Sequence, residues 1–197
     1  MKTYLFIDGT NLYAAQYELF GPNKYLNFSV FISEIQKQLH TTFHKIYFYA
    51  SYSPKTDKPS QKEKLFLKNE GLFYRSVRQT KNVIFFTGYR SPTSKKEKEV
   101  DVKLAVDIVD LGYLNKYDCL YFYSGDADFM HALFVATRLG KKVTIIATEN
   151  RIPMRFTYNY QTYLFIFLKN RKIKFTLNSK QKVKLIYLDN KNLINKI

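Results

Sequence analysis

Four aspartates occupy places along the chain where a side chain could take part in chemistry. Asp8 ends the first apolar run, Asp126 follows the run that ends at Tyr123, and Asp128 comes two residues later. Asp101 lies near the start of a stretch with helical spacing. Parallel strands present their carboxyl ends at one edge of a sheet, and ligands of such sheets bind there. The four carboxylates are therefore predicted to converge on one edge.

A cluster of carboxylates is costly unless something neutralises it. Two of them about 4 Å apart repel by about 4 kcal/mol at an effective dielectric constant of 20. The cluster is therefore either partly protonated or bound to a cation. Carboxylate oxygens with no histidine or cysteine among them suit Mg²⁺ or Mn²⁺ rather than Zn²⁺. Such an ion can deprotonate a water, position a phosphate and stabilise charge on a leaving oxygen.

Each acid also has a purely structural interpretation. Asp8 precedes Gly9, and Asp-Gly is a common turn pair. Asp101 could favour the N-terminus of its helix through the helix dipole, and Asp128 could be a helix N-cap. Asp107 lies about 240° around the helix from Asp101, so it is expected to serve structure rather than a metal ion. The residues alone leave these alternatives open.

The elements that must position these acids alternate between short apolar runs and longer helical patterns. This alternation is typical of an α/β fold in which helices flank a parallel sheet. Helices are expected at 28–39, 61–69, 99–111 and 128–139, and Gly71 is expected to end the second. Strands are expected at 4–7, 45–50, 118–123, 142–147 and 163–168. A further strand or a hairpin is expected within 73–89.

Three strings stand in order along the chain: FIDGTNL at 6–12, KEVDVKLAVD at 98–107 and YSGDADF at 123–129. Together with RLGKKV at 138–143, they resemble the signatures of NYN domains, which belong to the PIN-like nuclease superfamily. The resemblance covers about residues 2–167. It implies a Rossmann-like three-layer domain with a mostly parallel central sheet, and metal-dependent hydrolysis of RNA.

The resemblance also implies roles for the aspartates. Asp8, Asp101 and Asp126 would be direct or water-mediated ligands of Mg²⁺ or Mn²⁺. Asp128 would be a further acid of the catalytic centre, so that all four would be catalytic.

Two polar residues would support this centre, and one feature departs from the family. Asn11 would brace the Asp8 loop or contact a phosphate, and Ser124 would brace its own loop. The family often has an aspartate near the start of its last strand, whereas residues 161–163 are Gln-Thr-Tyr. This departure concerns the part of the alignment after Asn150, and the acidic centre lies before it.

The charge balance points to the partner. Lys and Arg number 32 against 16 Asp and Glu, so the formal net charge is +16. Such an excess favours RNA, because phosphates neutralised by protein release their counterions, although compositional drift also produces lysine-rich chains. Three lysines that precede Asp101 are predicted to bind phosphates: Lys95, Lys96 and Lys98.

Residues 1–168 are expected to form the domain. Residues 169–197 are expected to be a basic C-terminal extension, for which a β-hairpin around 178–179 is one expected form. A homo-oligomer is compatible with the sequence.

The chain is expected to work in the cytoplasm, without a membrane partner. It shows no signal-peptide pattern at its N-terminus and no apolar run of the roughly 20 residues needed to cross a bilayer. Its one cysteine, Cys119, is expected to be buried and inert. A single cysteine excludes an internal disulfide and a cysteine-based zinc site.

Three functions compete for this chain. The leading one is an endoribonuclease that hydrolyses phosphodiester bonds in single-stranded or loop RNA. A haloacid-dehalogenase-like phosphatase is disfavoured, because its chemistry needs a second acid two residues after the nucleophilic aspartate and that place holds Thr10. The alternative of a different class is a non-catalytic RNA-binding module that retains the fold. Four carboxylates that repel phosphate argue against a pure binder.

Overall fold

The short apolar runs of the sequence form a central sheet, and the amphipathic stretches form helices around it. The structure, a computed structural model, describes residues 1–90, 97–151, 162–168, 182–188 and 191–197. The helices are α1 (Gly9–Phe20), α2 (Phe28–Leu39), α3 (Gln61–Arg78), α4 (Val100–Tyr113) and α5 (Met130–Arg138). The strands are β1 (Thr3–Asp8), β2 (Lys24–Leu26), β3 (Lys45–Ala50), β4 (Val83–Thr87), β5 (Tyr89–Arg90), β6 (Glu97–Lys98), β7 (Cys119–Tyr123), β8 (Lys142–Thr148), β9 (Thr162–Phe167), β10 (Lys182–Tyr187) and β11 (Ile194–Lys196).

Seven strands form one parallel sheet in the order β10-β9-β8-β7-β1-β3-β4. In the middle of it, Ile7 of β1 lies between Phe48 of β3 and Tyr123 of β7. Every residue of β1 is buried, so successive side chains enter two different cores. Ile7 packs into the core under α1, α2 and α3, whereas Phe6 packs into the core under α4 and α5. This three-layer α/β arrangement confirms the predicted fold.

Helix α3 runs beyond the end that the sequence predicted. It continues through Gly71 for seven more residues, so the predicted termination at Gly71 is wrong. A glycine inside a helix costs roughly 1 kcal/mol relative to alanine. The turns beyond it bury Phe73, Tyr74 and Val77 almost completely, and burying one such side chain contributes about 1.5–3 kcal/mol. Apolar burial therefore outweighs the glycine, and the strand expected within 73–89 starts only at Val83.

The described part of the C-terminal extension packs onto the rest of the chain. Strand β10 pairs in parallel with β9 at the edge of the sheet, and β11 pairs antiparallel with β2. Ile186, Leu188 and Leu193 are buried in the same core as α2. The first half of the predicted hairpin and its turn, at 172–179, lie outside the described residues. The second half, at 182–188, supplies β10 and the buried Leu188.

Two smaller observations complete the fold. Cys119 is buried in β7, as predicted, and burial raises the pKa of its thiol, which keeps it protonated. Within the described ranges, no helix is long and apolar enough to cross a bilayer.

Candidate active site

The carboxyl ends of β1 and β7 bring the first and third motifs together. Asp8 is the last residue of β1, and Asp126 lies three residues beyond the end of β7. The two strands are adjacent and parallel, so both acids stand at one edge of the sheet. Asp101 lies in the first turn of α4. Asp101 and Asp126 both act electrostatically on Asp8, so the structure brings these three acids to the same edge.

The Asp8 carboxylate is buried, with only 6% of the residue exposed. Its Oδ1 accepts a hydrogen bond from the Asn11 N–H at 2.9 Å, and its Oδ2 accepts one from the Ser124 hydroxyl at 2.8 Å. Asp8 is therefore the N-cap of α1, so its structural role is to cap a helix rather than to form the Asp-Gly turn that the sequence suggested.

Burial raises the pKa of Asp8 from 3.8 to about 6. The Asn11 N–H and the Ser124 hydroxyl stabilise the charged form and lower this pKa. The negative charges of Asp101 and Asp126 raise it further. A carboxyl whose pKa is perturbed by both burial and neighbouring charges is a mark of a functional site.

A network of hydrogen bonds connects the 124–126 loop to the N-terminal end of α1. The Ser124 hydroxyl, which donates to Asp8, accepts from the Asp126 N–H at 3.0 Å. The Gly125 N–H donates to the Asn11 side-chain oxygen at 3.3 Å. Asn11 and Ser124 thus link the strand-end acids in the structure, through their side chains and through the Asn11 backbone.

Asp126 caps a helical turn, whereas Asp128 lies inside that turn. Asp126 is the N-cap of a 3₁₀ turn at Ala127–Phe129, and its Oδ1 accepts from the Asp128 N–H at 3.0 Å. Asp128 lies inside that turn, and Phe129 precedes α5. The N-cap interpretation of Asp128 is therefore wrong, because Phe129 is the N-cap of α5 and Asp126 is the N-cap of the turn before it. Both carboxylates are exposed, so a solute can reach them.

Asp107 has structural partners, as expected. Its Oδ2 accepts from the Tyr49 hydroxyl at 2.7 Å, and its Oδ1 pairs with Lys103. Burial and the bond to Asp107 both raise the pKa of Tyr49, so the tyrosine stays protonated and keeps donating. This contact joins α4 to β3.

Residues 2–168 match the family profile of the NYN domain. The chain belongs to the NYN domain family. This membership implies a nuclease-like function, and nucleases of this kind typically use divalent metals.

Among solved structures, the NYN domain described here is similar to a protein of unknown function from Vibrio parahaemolyticus. The two are 16% identical, the likeness covers 86% of this chain and 93% of that one, and the TM-score is 0.57. A likeness at this identity shows a shared fold. No curated protein matches the chain.

The donor chemistry of this NYN domain fits a hard divalent ion that keeps part of its water. Within the described residues, no three His, Cys, Asp or Glu side chains form a group that could hold a metal ion. Mg²⁺ needs no such cage, because it usually keeps several waters and takes one or two carboxylates from the protein. The oxygens of Asp8, Asp101 and Asp126 are donors of that type, and they stand at one edge.

The basic residues of the second motif are only partly described. Lys95 and Lys96 lie outside the described residues. The backbone of Lys98 is in β6, paired with Tyr89, and its side chain lies outside the described part of the chain. The role of these three lysines in binding phosphates stays a prediction.

One charged residue of the NYN domain was missed by the sequence analysis. Arg151 lies three residues beyond the end of β8 and forms an ion pair with Glu18 of α1. It belongs to none of the motifs. Only its position after a predicted strand, the same signal that identified Asp8 and Asp126, could have marked it.

Proposed function

We propose that this NYN domain is a metal-dependent endoribonuclease that hydrolyses phosphodiester bonds in single-stranded or loop RNA. Asp8, Asp101 and Asp126 would hold Mg²⁺ or Mn²⁺, directly or through water, and Asp128 would be a further acid of the centre. When bound, the ion would supply an activated water and stabilise charge on the leaving oxygen.

The buried Asp8 carboxyl carries the proposal. Its ionisation opposes folding, because burial and the charges of two neighbouring acids raise its pKa. Asn11 and Ser124 nonetheless hold the carboxylate in one position with two hydrogen bonds. A divalent cation at this edge would remove the repulsion and favour the charged form. The arrangement therefore suits a group that works in its ionised state beside a cation.

One further observation supports a nucleic acid substrate, and another supports bases that are not paired. The net charge of +16 favours a polyanion. A groove of about 660 Å³ opens beside Asp128 between α4 and α5, with Val106, Val109 and Tyr113 among its lining residues. Apolar walls next to the proposed centre offer an unpaired base a place to lie, whereas bases in a duplex are stacked on one another.

The experiment that tests the proposal is cleavage of a labelled single-stranded RNA in Mn²⁺, in Mg²⁺ and in EDTA, with a matched DNA strand in parallel. We expect metal-dependent cutting of RNA by the wild type. Asp126→Asn should lower the cleavage rate at least about a hundredfold, because ion-mediated stabilisation of the transition state is worth several kcal/mol. Asp118→Asn is the matched control, since it makes the same change at the opposite end of β7.

The alternative is a non-catalytic RNA-binding module, which is favoured by the lack of a ready-made three-ligand group among the described residues. RNA binding that is unchanged by EDTA and by Asp126→Asn, with no product in either metal, would support this module and refute the nuclease. Cutting by Asp126→Asn at the wild-type rate would refute the site assignment.

A further inference from the structure

Three neighbouring strands end at the acidic edge, and a charged residue follows each of them. Asp8 ends β1, Asp126 lies three residues beyond β7, and Arg151 lies three residues beyond β8. The strands are adjacent and parallel, in the order β8-β7-β1. The third of them therefore brings the Arg151 backbone to the same edge of the sheet as the acids, and its guanidinium extends from there to Glu18.

Arg151 is in direct contact with the loop that carries the acids. A Cβ built on Gly125 would lie 2.7 Å from the Arg151 carbonyl oxygen and 3.4 Å from its Cβ, so only glycine fits there without a shift. The residues on either side of Gly125 are Ser124, which bonds to Asp8, and Asp126. The backbone and Cβ of Arg151 therefore lie against Gly125, the middle residue of the 124–126 loop.

The charge of Arg151 also acts on a buried tyrosine at the end of β7. Burial raises the pKa of Tyr123, the nearby charge of Asp8 raises it further, and the charge of Arg151 lowers it. Tyr123 is the last residue of β7 and is fully buried. Asp8 and Arg151 therefore act on the same buried hydroxyl.

Neighbouring groups hold the Arg151 backbone and guanidinium in place. Its N–H donates to the Thr148 carbonyl at 2.9 Å, and one terminal nitrogen pairs with Glu18. Glu18 in turn accepts from the Asn150 side-chain amide at 3.0 Å. This pairing uses one terminal nitrogen of the guanidinium, and Nε is buried without an acceptor among the described residues. The Arg151 side chain is 28% exposed, so a solute can reach the part of it other than Nε.

We propose that Arg151 is a phosphate-binding residue that holds the phosphodiester of the RNA substrate at this edge, with Glu18 keeping it oriented in the free protein. The inference rests on the proposed ribonuclease function and deepens it. Several carboxylates at the edge repel a phosphate, and an arginine offers the paired N–H donors that match a phosphate's geometry. A phosphate that binds Arg151 would compete with Glu18 for the guanidinium.

The rival explanation is that Arg151 and Glu18 are only a clamp between α1 and the end of β8. Two substitutions separate the explanations, because Arg151→Gln and Glu18→Gln break the same ion pair from opposite sides. A clamp predicts similar changes in melting temperature and in RNA affinity for both variants. A phosphate-binding residue predicts RNA affinities that move in opposite directions.

The test measures the affinity for a fluorescent single-stranded RNA in EDTA, where cleavage is suppressed, at several salt concentrations. Arg151→Gln should weaken binding about tenfold or more and lower the slope of log affinity against log salt by about one. Glu18→Gln should bind about twofold to fivefold tighter, because a competing carboxylate is gone. Arg138→Gln, at the far end of α5, is the matched control and should cause a smaller loss.

The outcomes separate the two proposals. If the wild type cuts RNA and both variants bind like it, or both weaken alike, the Arg151 assignment is refuted and the nuclease stands. If the wild type neither binds nor cuts RNA, both proposals are refuted. Should Arg151→Gln fail to fold, Glu18→Gln decides alone, since unchanged or weaker binding would overturn the assignment.

Discussion

Replacing Asp8 by asparagine should stabilise this protein in the absence of metal. Asparagine is an N-cap as good as aspartate, and its side-chain oxygen can still accept from the Asn11 N–H. The Ser124 hydroxyl can accept from the new amide instead of donating to Oδ2. What disappears is the charge, whose burial raises the pKa of Asp8 to about 6. The substitution therefore removes a penalty while keeping the local structure.

The size of this effect follows from linkage between protonation and folding. The folded-state pKa of Asp8 is raised from 3.8 to about 6. The stability that the neutral carboxyl contributes is therefore fully present below pH 3.8 and is lost as the pH rises through about 6. A shift of this size corresponds to about 3 kcal/mol at 1.36 kcal/mol per pH unit. The asparagine side chain of Asp8→Asn does not titrate, so the variant should gain up to this amount over the wild type by pH 8.

The assay is chemical or thermal unfolding of wild type, Asp8→Asn and Asp118→Asn between pH 4 and pH 8 in EDTA. The stability advantage of Asp8→Asn should grow as the pH rises, by roughly 6–12 °C in melting temperature for a chain of this length. Asp118→Asn should follow the wild type, since Asp118 is exposed. An Asp8→Asn variant that is less stable than the wild type at pH 8, or an advantage that does not change with pH, would refute the reasoning.

Three other perturbations have expected outcomes. Mg²⁺ or Mn²⁺ at 100 times its dissociation constant should stabilise the wild type by about 2.7 kcal/mol in thermal unfolding and leave Asp8→Asn nearly unchanged. Ser124→Ala removes a hydrogen bond to a buried carboxylate, so it should cost about 1.5–3 kcal/mol in denaturant unfolding. Because that bond lowers the pKa of Asp8, its loss should shift the onset of RNA cleavage to higher pH. An unchanged onset would contradict the role of Ser124. Gly9→Ala places a Cβ 2.2 Å from the Phe48 ring, so it should lower the melting temperature or prevent folding. Gly71→Ala has open space around the new Cβ and should raise the stability by about 0.5–1 kcal/mol. Equal effects of the two substitutions would contradict the close packing of Gly9 against Phe48.

Much of the acidic edge could be predicted from the sequence, because its causes are local. The apolar runs that end at Asp8 and Tyr123 define buried parallel strands, and parallel strands place their carboxyl ends on one side. The short spacing from Tyr123 to Asp126 then brings the second acid to the first. A helical pattern beginning near Asp101 adds the third. These inferences need only periodicity and the order of elements.

Other features could not be predicted, because they depend on contacts between distant parts of the chain. Helix α3 passes Gly71 because the core has room for the apolar side chains beyond it. Residues 182–187 join the sheet as a parallel strand beside β9, whereas alternating sequence alone is equally compatible with a hairpin. In both places local propensity competes with burial, and burial contributes more free energy.

The order of residues is enough to specify the α/β class, the parallel strands and the four candidate aspartates, since periodicity and turn chemistry act over a few residues. How those groups behave depends on the folded chain. Asp8 and Ser124 are 116 residues apart in the chain yet hydrogen-bonded, and burial at that contact sets the pKa of Asp8. Arg151 likewise meets Gly125 and Glu18 only after folding. Protonation and charge pairing depend on the dielectric surroundings and on neighbours in space, which the order of residues does not specify.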